Sequence, residues 1–358
     1  MNGIVSIAGR ARLAFRKLLH ESLAIASFAV HYVQLRLVRA ALKRRDPARK
    51  IVIIDLIEHL GDIVACEPVA RHIKETDPDA YLIWAVRKPY QELIDTNPVI
   101  DRTLVVFCLT EWILLSKTSL FDETVDLHIQ GRVCPVCNIP LRKKTGDPAI
   151  TLENYYHFGG ALQSFTRSAG MVVSDREPRV YIPRSAERTV DGLGLPKRFI
   201  AVHCTSNEVS RDWTADKWIG LAERIFRDTD CSVVETGSRT MLEQYRHPRW
   251  TTLCGRTSIL ETAEIIRRAV LFVGVDSGPA HLANAVGTYG IILLGHYRAF
   301  TEHLPYSGSY ASGVNAEIIR EQGPAAAITV ERVFTSIMQR VGAAAKRHTT
   351  ETAVTGDS

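Results

Sequence analysis

Short apolar runs recur along the chain, separated by longer polar or amphipathic stretches. In the first half they fall at 51–54, 81–86, 104–107 and 126–129. In the second half they fall at 199–203, 231–235, 271–275 and 291–294. Few of them alternate apolar with polar residues, which suits strands buried on both faces. Between them lie segments of helical character at 62–75, 89–96, 216–227, 258–269 and 280–286, and an amphipathic segment at 329–344 closes the pattern. Ser258 with Glu261 three residues on has the spacing of a capping box. Strand and helix in regular alternation predict parallel sheets in an α/β fold.

The stretch PRSAERTVDGLGLPK, 183–197, is polar, holds Gly and Pro, and carries no apolar period. It reads as a boundary. The expected division is an N-terminal basic helix at 1–50, a Rossmann-like domain at 51–185, a second at 186–345, and a disordered tail at 346–358. Each half opens on a buried strand whose carboxyl-end loop is polar. Two facing Rossmann-like domains would set those loops across one cleft. At 358 residues the chain is long enough for two such cores.

Charge changes the picture only at the N-terminus. The net charge is +5, yet residues 1–50 alone carry eleven Lys or Arg against two acids. Residues 10–45 read as a long basic helix with an apolar centre at 23–33. That centre is about half of the roughly 20 residues a membrane span needs, and no small-residue cleavage site follows it. The expectation is a helix lying on an anionic membrane surface, with Arg10, Arg12, Arg16, Lys17, Arg36, Arg39, Lys43, Arg44 and Arg45 toward the lipid. The plainer alternative is a helix packed on the body. No aromatic-studded basic face or nucleic-acid motif is present, so nucleic acid is not an expected partner.

The seven cysteines are scattered through a chain that is not small, which argues for a reducing compartment. Cys134 and Cys137 form a C-x-x-C pair. It could be half a zinc site, with His128 as a further ligand, or a redox pair. A structural zinc site needs four ligands, and no second C-x-x-C follows. A local structural role is the favoured reading. Tyr155, Tyr156 and His157 could line a pocket or fill a core.

The chemistry concentrates in 271–295, LFVGVDSGPAHLANAVGTYGIILLG. A buried strand ends at Asp276. Ser277 suits an N-cap, Gly278 allows close backbone approach, and Pro279 suits a first helical turn. A helix N-terminus at the carboxyl end of a parallel strand binds phosphate. Asp276 could bond a ribose or backbone donors, and His281 lies one turn in.

The string DSGPAHLANAVGT closely resembles the signature of glycosyltransferase family 9, the bacterial heptosyltransferases and their relatives. The resemblance extends from about Ile51 to about Arg340. It implies the two-Rossmann GT-B architecture, with this segment holding the diphosphate and ribose of a nucleotide-sugar donor. The stretch His59-Leu60-Gly61-Asp62, with Pro68 six residues on, resembles the family's first-domain motif and implies Asp62 as general base. Without the resemblance, Asp62 could equally serve the start of the following helix. HCTSNEVSRDW resembles the family's phosphate loop and implies Thr205, Ser206 and Arg211 as donor-binding residues. Arg211 brings a guanidinium fork suited to a diphosphate, or it could simply pair with Asp212 or Glu208. Gly237 and Gly255 match the loops around base and ribose. His203 and Trp213 read as core residues. One departure stands out. Family members often carry a basic residue before Gly-Asp, whereas here Leu56 sits between Asp55 and Glu58, an acidic loop poorly suited to a phosphorylated acceptor.

The implied activity is inverting, metal-independent transfer of a sugar from a nucleotide-diphosphate donor to a lipopolysaccharide or other cell-surface glycan. ADP-heptose is the family default. The donor is a co-substrate, no cofactor is expected, and the site is the inner face of the bacterial cytoplasmic membrane. A nucleotide-sugar epimerase of the same architecture and a non-catalytic nucleotide-sugar binding subunit are the alternatives. A dinucleotide-dependent dehydrogenase is disfavoured, since no G-x-G-x-x-G follows either leading strand.

Overall fold

The computed structural model describes residues 7–143 and 145–341, side chains from residue 12 onward. It divides into two units, Met1–Ser174 and Asp175–Ser358.

The first unit opens with α1 (Ile7–Arg45), then β1 (Ile51–Asp55), α2 (Leu60–Ala65), α3 (Glu67–Thr76), β2 (Tyr81–Val86), α4 (Gln91–Asp95), β3 (Arg102–Val105), α5 (Leu109–Leu115), β4 (Glu123–Asp126) and α6 (Ala161–Ser168). The four strands pair in parallel in the order β3-β2-β1-β4. The chain winds outward from β1 to β3 and then returns to the other side of β1. The crevice between β1 and β4 is therefore a topological switch point, where loops after adjacent strands diverge.

Several boundaries move from their expected places, each for a local reason. β4 ends at Asp126 rather than running to residue 129, because the Asp126 carboxylate accepts the His128 amide at 3.1 Å and turns the chain. β3 stops at Val105, short of 107, where Glu111 Oε2 takes the Phe107 amide at 2.6 Å. The helix expected at 62–75 is two helices, broken at Cys66, since Pro68 enters the first turn of α3 and has no amide to continue a ladder.

α1 lies on the first unit. Ala24 and Leu35 are buried in its core, with Phe28, Tyr32 and Leu42 packed alongside. His31 pairs with the buried Glu111. Arg39 and Lys43 both reach Asp122 at 2.8 Å. These two cations are engaged with protein, not directed at a lipid surface. The opposite side of the helix is different: Phe15, Leu19, Leu23, Val30, Val33 and Leu37 are all exposed. Their spacing places them on one stripe. α1 thus has two apolar faces, only one of them covered within the unit.

The second unit runs α7 (Arg184–Asp191), β5 (Phe199–His203), α8 (Ala215–Asp228), β6 (Ser232–Glu235), β7 (Trp250–Thr252), α9 (Ile259–Arg268), β8 (Leu271–Val275), α10 (Gly278–Ala285), β9 (Gly290–Leu294), α11 (Gly308–Ala311), β10 (Ala316–Arg320) and α12 (330–341). The expected end of the last helix and the expected tail lie outside the described residues. Within the stretch read as a polar boundary, Arg184–Asp191 forms α7. Ala186 and Val190, one turn apart, are buried, and Arg268 holds Asp191 at 2.7 Å. Two apolar residues at helical spacing were enough.

The sheet order is β10-β9-β8-β5-β6-β7, all parallel. β5 and β8 flank the switch point, because the chain winds away from each in opposite directions. Below it, Val202, Val233, Val273 and Leu293 fill the core. Trp213 and Trp218 meet edge to face at 5.0 Å, and Trp213 Nε1–H donates to Ile328 O. Ser258 and Glu261 form the expected reciprocal capping box at the start of α9.

Candidate active site

The sequence of β8 ends its apolar run at Asp276, so the first polar side chain emerges at the switch point. Asp276 is buried, and a buried carboxylate must be paired. Its Oδ2 faces Arg211 Nη1 at 3.3 Å and His303 Nε2 at 3.5 Å, and its Oδ1 accepts from the Tyr306 hydroxyl at 3.1 Å. Burial alone would raise its pKa. The His303 hydrogen bond and the Arg211 charge outweigh it and hold the carboxyl well below the ordinary range. Arg211 comes from the turn Val209–Arg211 after β5. Burial opposes its charge, but Asp276 more than compensates, and its pKa is raised. Its guanidinium lies 4.7 Å from the Tyr297 ring, and its Nε has no hydrogen-bond partner among the described residues. Arg211 therefore pairs neither with Asp212 nor with Glu208. It is fixed by a carboxylate from the neighbouring strand's loop.

Ser277 occupies the N-cap position of α10, but its hydroxyl does not cap. It donates back to Val275 O at 3.1 Å. Pro279 has no N–H and the Ala280 amide bonds Ser277 O at 3.1 Å, so the Gly278 amide is the one of this turn left to another acceptor. His281 is buried one turn in, its ring 4.7 Å from Tyr306.

Thr205 and Ser206 are buried in the loop after β5. The Ser206 hydroxyl donates to Glu208 O at 2.7 Å and accepts the Glu208 amide, so it shapes its own loop. Gly237 has φ +136, and an added Cβ would lie 2.6 Å from the His203 ring. Gly255 has φ +71, and its amide bonds Gly237 O at 2.8 Å. The two glycines join adjacent loops where side chains would not fit. His203 is a satisfied core residue, with Nδ1 against Thr236 O at 2.7 Å.

Sequence reasoning missed Tyr297, His303 and Tyr306. They follow β9 in HYRAFTEHLPY, where the density of rings and charges was the available signal. It also missed Glu235, which is buried at the end of β6 and whose carboxyl is raised by that burial.

In the first unit, Asp62 sits three residues past the N-cap His59, in the first turn of α2. It is half-buried, and no hydrogen bond or ion pair engages its carboxylate among the described residues. It does not cap the helix. The acids around it are all engaged. Glu58 is held by Arg87 at 3.0 Å and Arg132 at 3.1 Å. Asp55 is fully buried against His128 Nδ1 at 2.6 Å, and the same nitrogen lies 3.1 Å from Asp126. Burial raises Asp55 to about 7 against the lowering effect of His128. The half-buried Lys143 ammonium ties this corner together, donating to Asp126 O, His128 O and Ser168 O. The loop expected to be acidic is therefore answered by Arg87, Arg132 and Lys143. His128 is not a companion of Cys134 and Cys137, since Nδ1 faces the two carboxylates and Nε2 accepts the Ile57 amide.

Two parallel Rossmann-like sheets, the second with a paired Asp and Arg and a helix N-terminus at its switch point, are features of the GT-B fold class. Residues 176–320 match the model of glycosyltransferase family 9 (heptosyltransferase). Over that stretch, which lies in the second unit, the chain is similar to the heptosyltransferases of this family. It is 23% identical over 302 residues to lipopolysaccharide heptosyltransferase 3 of Escherichia coli K12, covering 70% of this chain and 86% of that protein. It is 21% identical over 273 residues to the lipopolysaccharide core heptosyltransferase OpsX of Haemophilus influenzae, covering 67% and 78%. Its fold matches E. coli ADP-heptose LPS heptosyltransferase II with a TM-score of 0.60 at 16% identity, covering 80% of this chain and 97% of that one.

The depressed Asp276 carboxyl contributes stability that is complete above the unfolded carboxyl value near pH 4 and is lost as pH falls through the lower folded value. Asp276→Asn is therefore expected to destabilise the second unit by about 3–5 kcal/mol near neutrality, with a gap to wild type that narrows below about pH 4. Urea unfolding across that pH series, following unit 2, measures it. A gap independent of pH contradicts the assigned charge state.

Proposed function

We propose that this enzyme transfers heptose from ADP-heptose to a lipopolysaccharide or other cell-surface glycan acceptor. The single observation that carries the donor side is the Arg211–Asp276 pair at the β5/β8 switch point, beside the uncapped N-terminus of α10. Asp276 holds the guanidinium by one nitrogen, leaving further N–H groups of the fork to grip a diphosphate. The Ser277 and Gly278 amides add positive potential where leaving-group charge develops. This arrangement would stabilise the departing nucleoside diphosphate without a metal ion.

On the acceptor side, Asp62 serves as the general base. It takes the proton of the attacking hydroxyl as the new glycosidic bond forms opposite the leaving diphosphate, with inversion. The absence of a competing partner for this carboxylate supports the role. Arg87 and Arg132 are placed near enough to Glu58 to leave the acceptor loop basic at its rim, compatible with an anionic acceptor. Family relatives named for lipopolysaccharide supply the acceptor class.

We place the enzyme at the inner face of the cytoplasmic membrane, with α1 as the contact. The exposed stripe of Phe15, Leu19, Leu23, Val30, Val33 and Leu37 would enter the lipid interface. Arg12, Arg16, Arg44 and Arg45 near its ends would meet anionic headgroups, at roughly 1 kcal/mol each. No described helix is long and apolar enough to cross a membrane.

Asp62→Asn is expected to lower turnover at least about a hundredfold while ADP-heptose still binds. A loss below threefold in an acceptor-dependent assay removes Asp62 as base, and donor conversion without any acceptor would instead identify an epimerase.

Arg211→Ala should weaken ADP binding by about 1.5–3 kcal/mol, the scale of a charged hydrogen bond. Calorimetric titration with ADP reads this directly, and unchanged affinity counts against the diphosphate assignment.

Because α1 also covers part of the core, deleting it would expose apolar surface. Point changes on the outer stripe are the cleaner test. Leu23→Glu with Val30→Glu should abolish sedimentation with phosphatidylglycerol vesicles and leave ADP binding intact. Undiminished vesicle binding sinks the membrane reading.

A further inference from the structure

The cysteine pair has two companions that lie far from it in sequence. Cys134 and Cys137 stand on a tight hairpin closed by the bridge between Val133 and Pro140. Within it, Cys134 O accepts the Asn138 amide at 2.8 Å, and Asn138 takes a left-handed φ of 57. Cys108, at the N-cap of α5, brings a third sulfur. His20, on α1, brings an imidazole, with its ring 4.7 Å from Phe107 and Nδ1 3.3 Å from Cys137 Sγ. The donor atoms of His20, Cys108 and Cys137 all lie within 4.8 Å of one another. Cys134, buried on the same turn, lies outside that 4.8 Å set and would close on it when metal binds. All three cysteines are buried and none is in a disulfide.

We propose that His20, Cys108, Cys134 and Cys137 form a tetrahedral zinc site that clamps α1 to the first unit. A Cys₃His set is a closed structural zinc set, and Zn–S near 2.3 Å with Zn–N near 2.0–2.1 Å demands donor-to-donor edges of about 3.5–3.8 Å. The 3.3 Å approach of His20 to Cys137 is close to that edge before any metal draws the ligands in. Purely apolar packing would account for buried thiols, but not for an imidazole nitrogen aimed among them from a separate helix. The donor set is soft and holds no carboxylate, which favours zinc over magnesium or calcium. Zinc would bind as the three thiols release their protons, with a neutral imidazole completing the shell. Four protein ligands leave no open position, so the ion is structural and takes no part in sugar transfer. The site is independent of the proposed donor and base residues.

The test uses the full-length protein, purified without chelator and dialysed. Elemental analysis is expected to find about one zinc ion per chain. Cys137→Ser and His20→Ala should each reduce it at least severalfold, while Cys231→Ser, in the second unit, should not. His20→Ala removes only a partly exposed side chain on α1, so it keeps the test sound where a cysteine variant fails to fold. Cobalt substitution provides a second reading: thiolate-to-cobalt charge-transfer bands with intense visible bands of a tetrahedral ion, altered in His20→Ala. Tryptic cleavage within α1 should accelerate when zinc is removed. Protein that stays metal-free in excess zinc overturns the proposal. So does a Cys134–Cys137 disulfide in the purified protein, or zinc retained in full by the His20→Ala and Cys137→Ser variants.

Discussion

The buried pairing of Asp276 with Arg211 is the constraint around which the second unit is arranged. A carboxylate at the end of a central strand cannot stay charged in that setting unless a cation and hydrogen-bond donors meet it. The sheet order supplies them. Because β5 and β8 are neighbours while the chain leaves them in opposite directions, the loop carrying Arg211 and the loop carrying Asp276 converge on one crevice. His303 and Tyr306, from beyond β9, close the remaining sides. The result is a guanidinium whose direction is set before any ligand arrives. Preorganisation of this kind is where electrostatic binding gains over a mobile surface arginine. A surface pair with Asp212 or Glu208 would have left the same cation free to swing.

The first unit solves a related problem in another way. Its switch point also collects acids, but nearly all are consumed internally. Asp55 and Asp126 share the His128 imidazole, Lys143 binds the carbonyls around them, and Glu58 is held between two arginines. α1 then covers one side of this unit through Ala24, Leu35 and the His31–Glu111 pair. The helix is long because it serves two surfaces. Its inner face completes a core, and its outer stripe remains apolar without any covering element in the same unit. Of the two alternatives posed from sequence, the body-packed one describes the inner side of the helix, and the outer side is an exposed apolar stripe.

What could be read from the sequence follows from locality. The central strands β1, β2, β5, β8 and β9 were legible because each is buried almost throughout and so appears as a nearly unbroken apolar run, whereas β7 and β10, only partly buried, went unread. The Ser258–Glu261 box was legible because both partners lie within one turn. The misses are tertiary. β4 ends early because the Asp126 side chain captures the His128 amide. The helix Arg184–Asp191 inside the polar stretch 183–197 forms because two apolar residues find α9. Arg211 finds its partner 65 residues away, beyond any local window. Tyr297, His303 and Tyr306 sit in a loop without period, and only the topology carries them to the corner. His20 and Cys137 are 117 residues apart, and a search for four ligands near the C-x-x-C pair had no reason to look on the N-terminal helix.

Position and availability together argue for Asp62. A proton acceptor must keep a lone pair uncommitted until the alcohol arrives, since a carboxylate already engaged by Arg or His loses that interaction when it takes a proton. Asp55, Glu58 and Asp126 fail on this ground: each has a cation or imidazole within hydrogen-bond reach. Asp62 lies on the same side of the sheet's carboxyl end, in the first turn of α2, with no such partner. On the proposed reading, the network of paired acids around it leaves Asp62 as the carboxylate of this corner with no partner among the described residues.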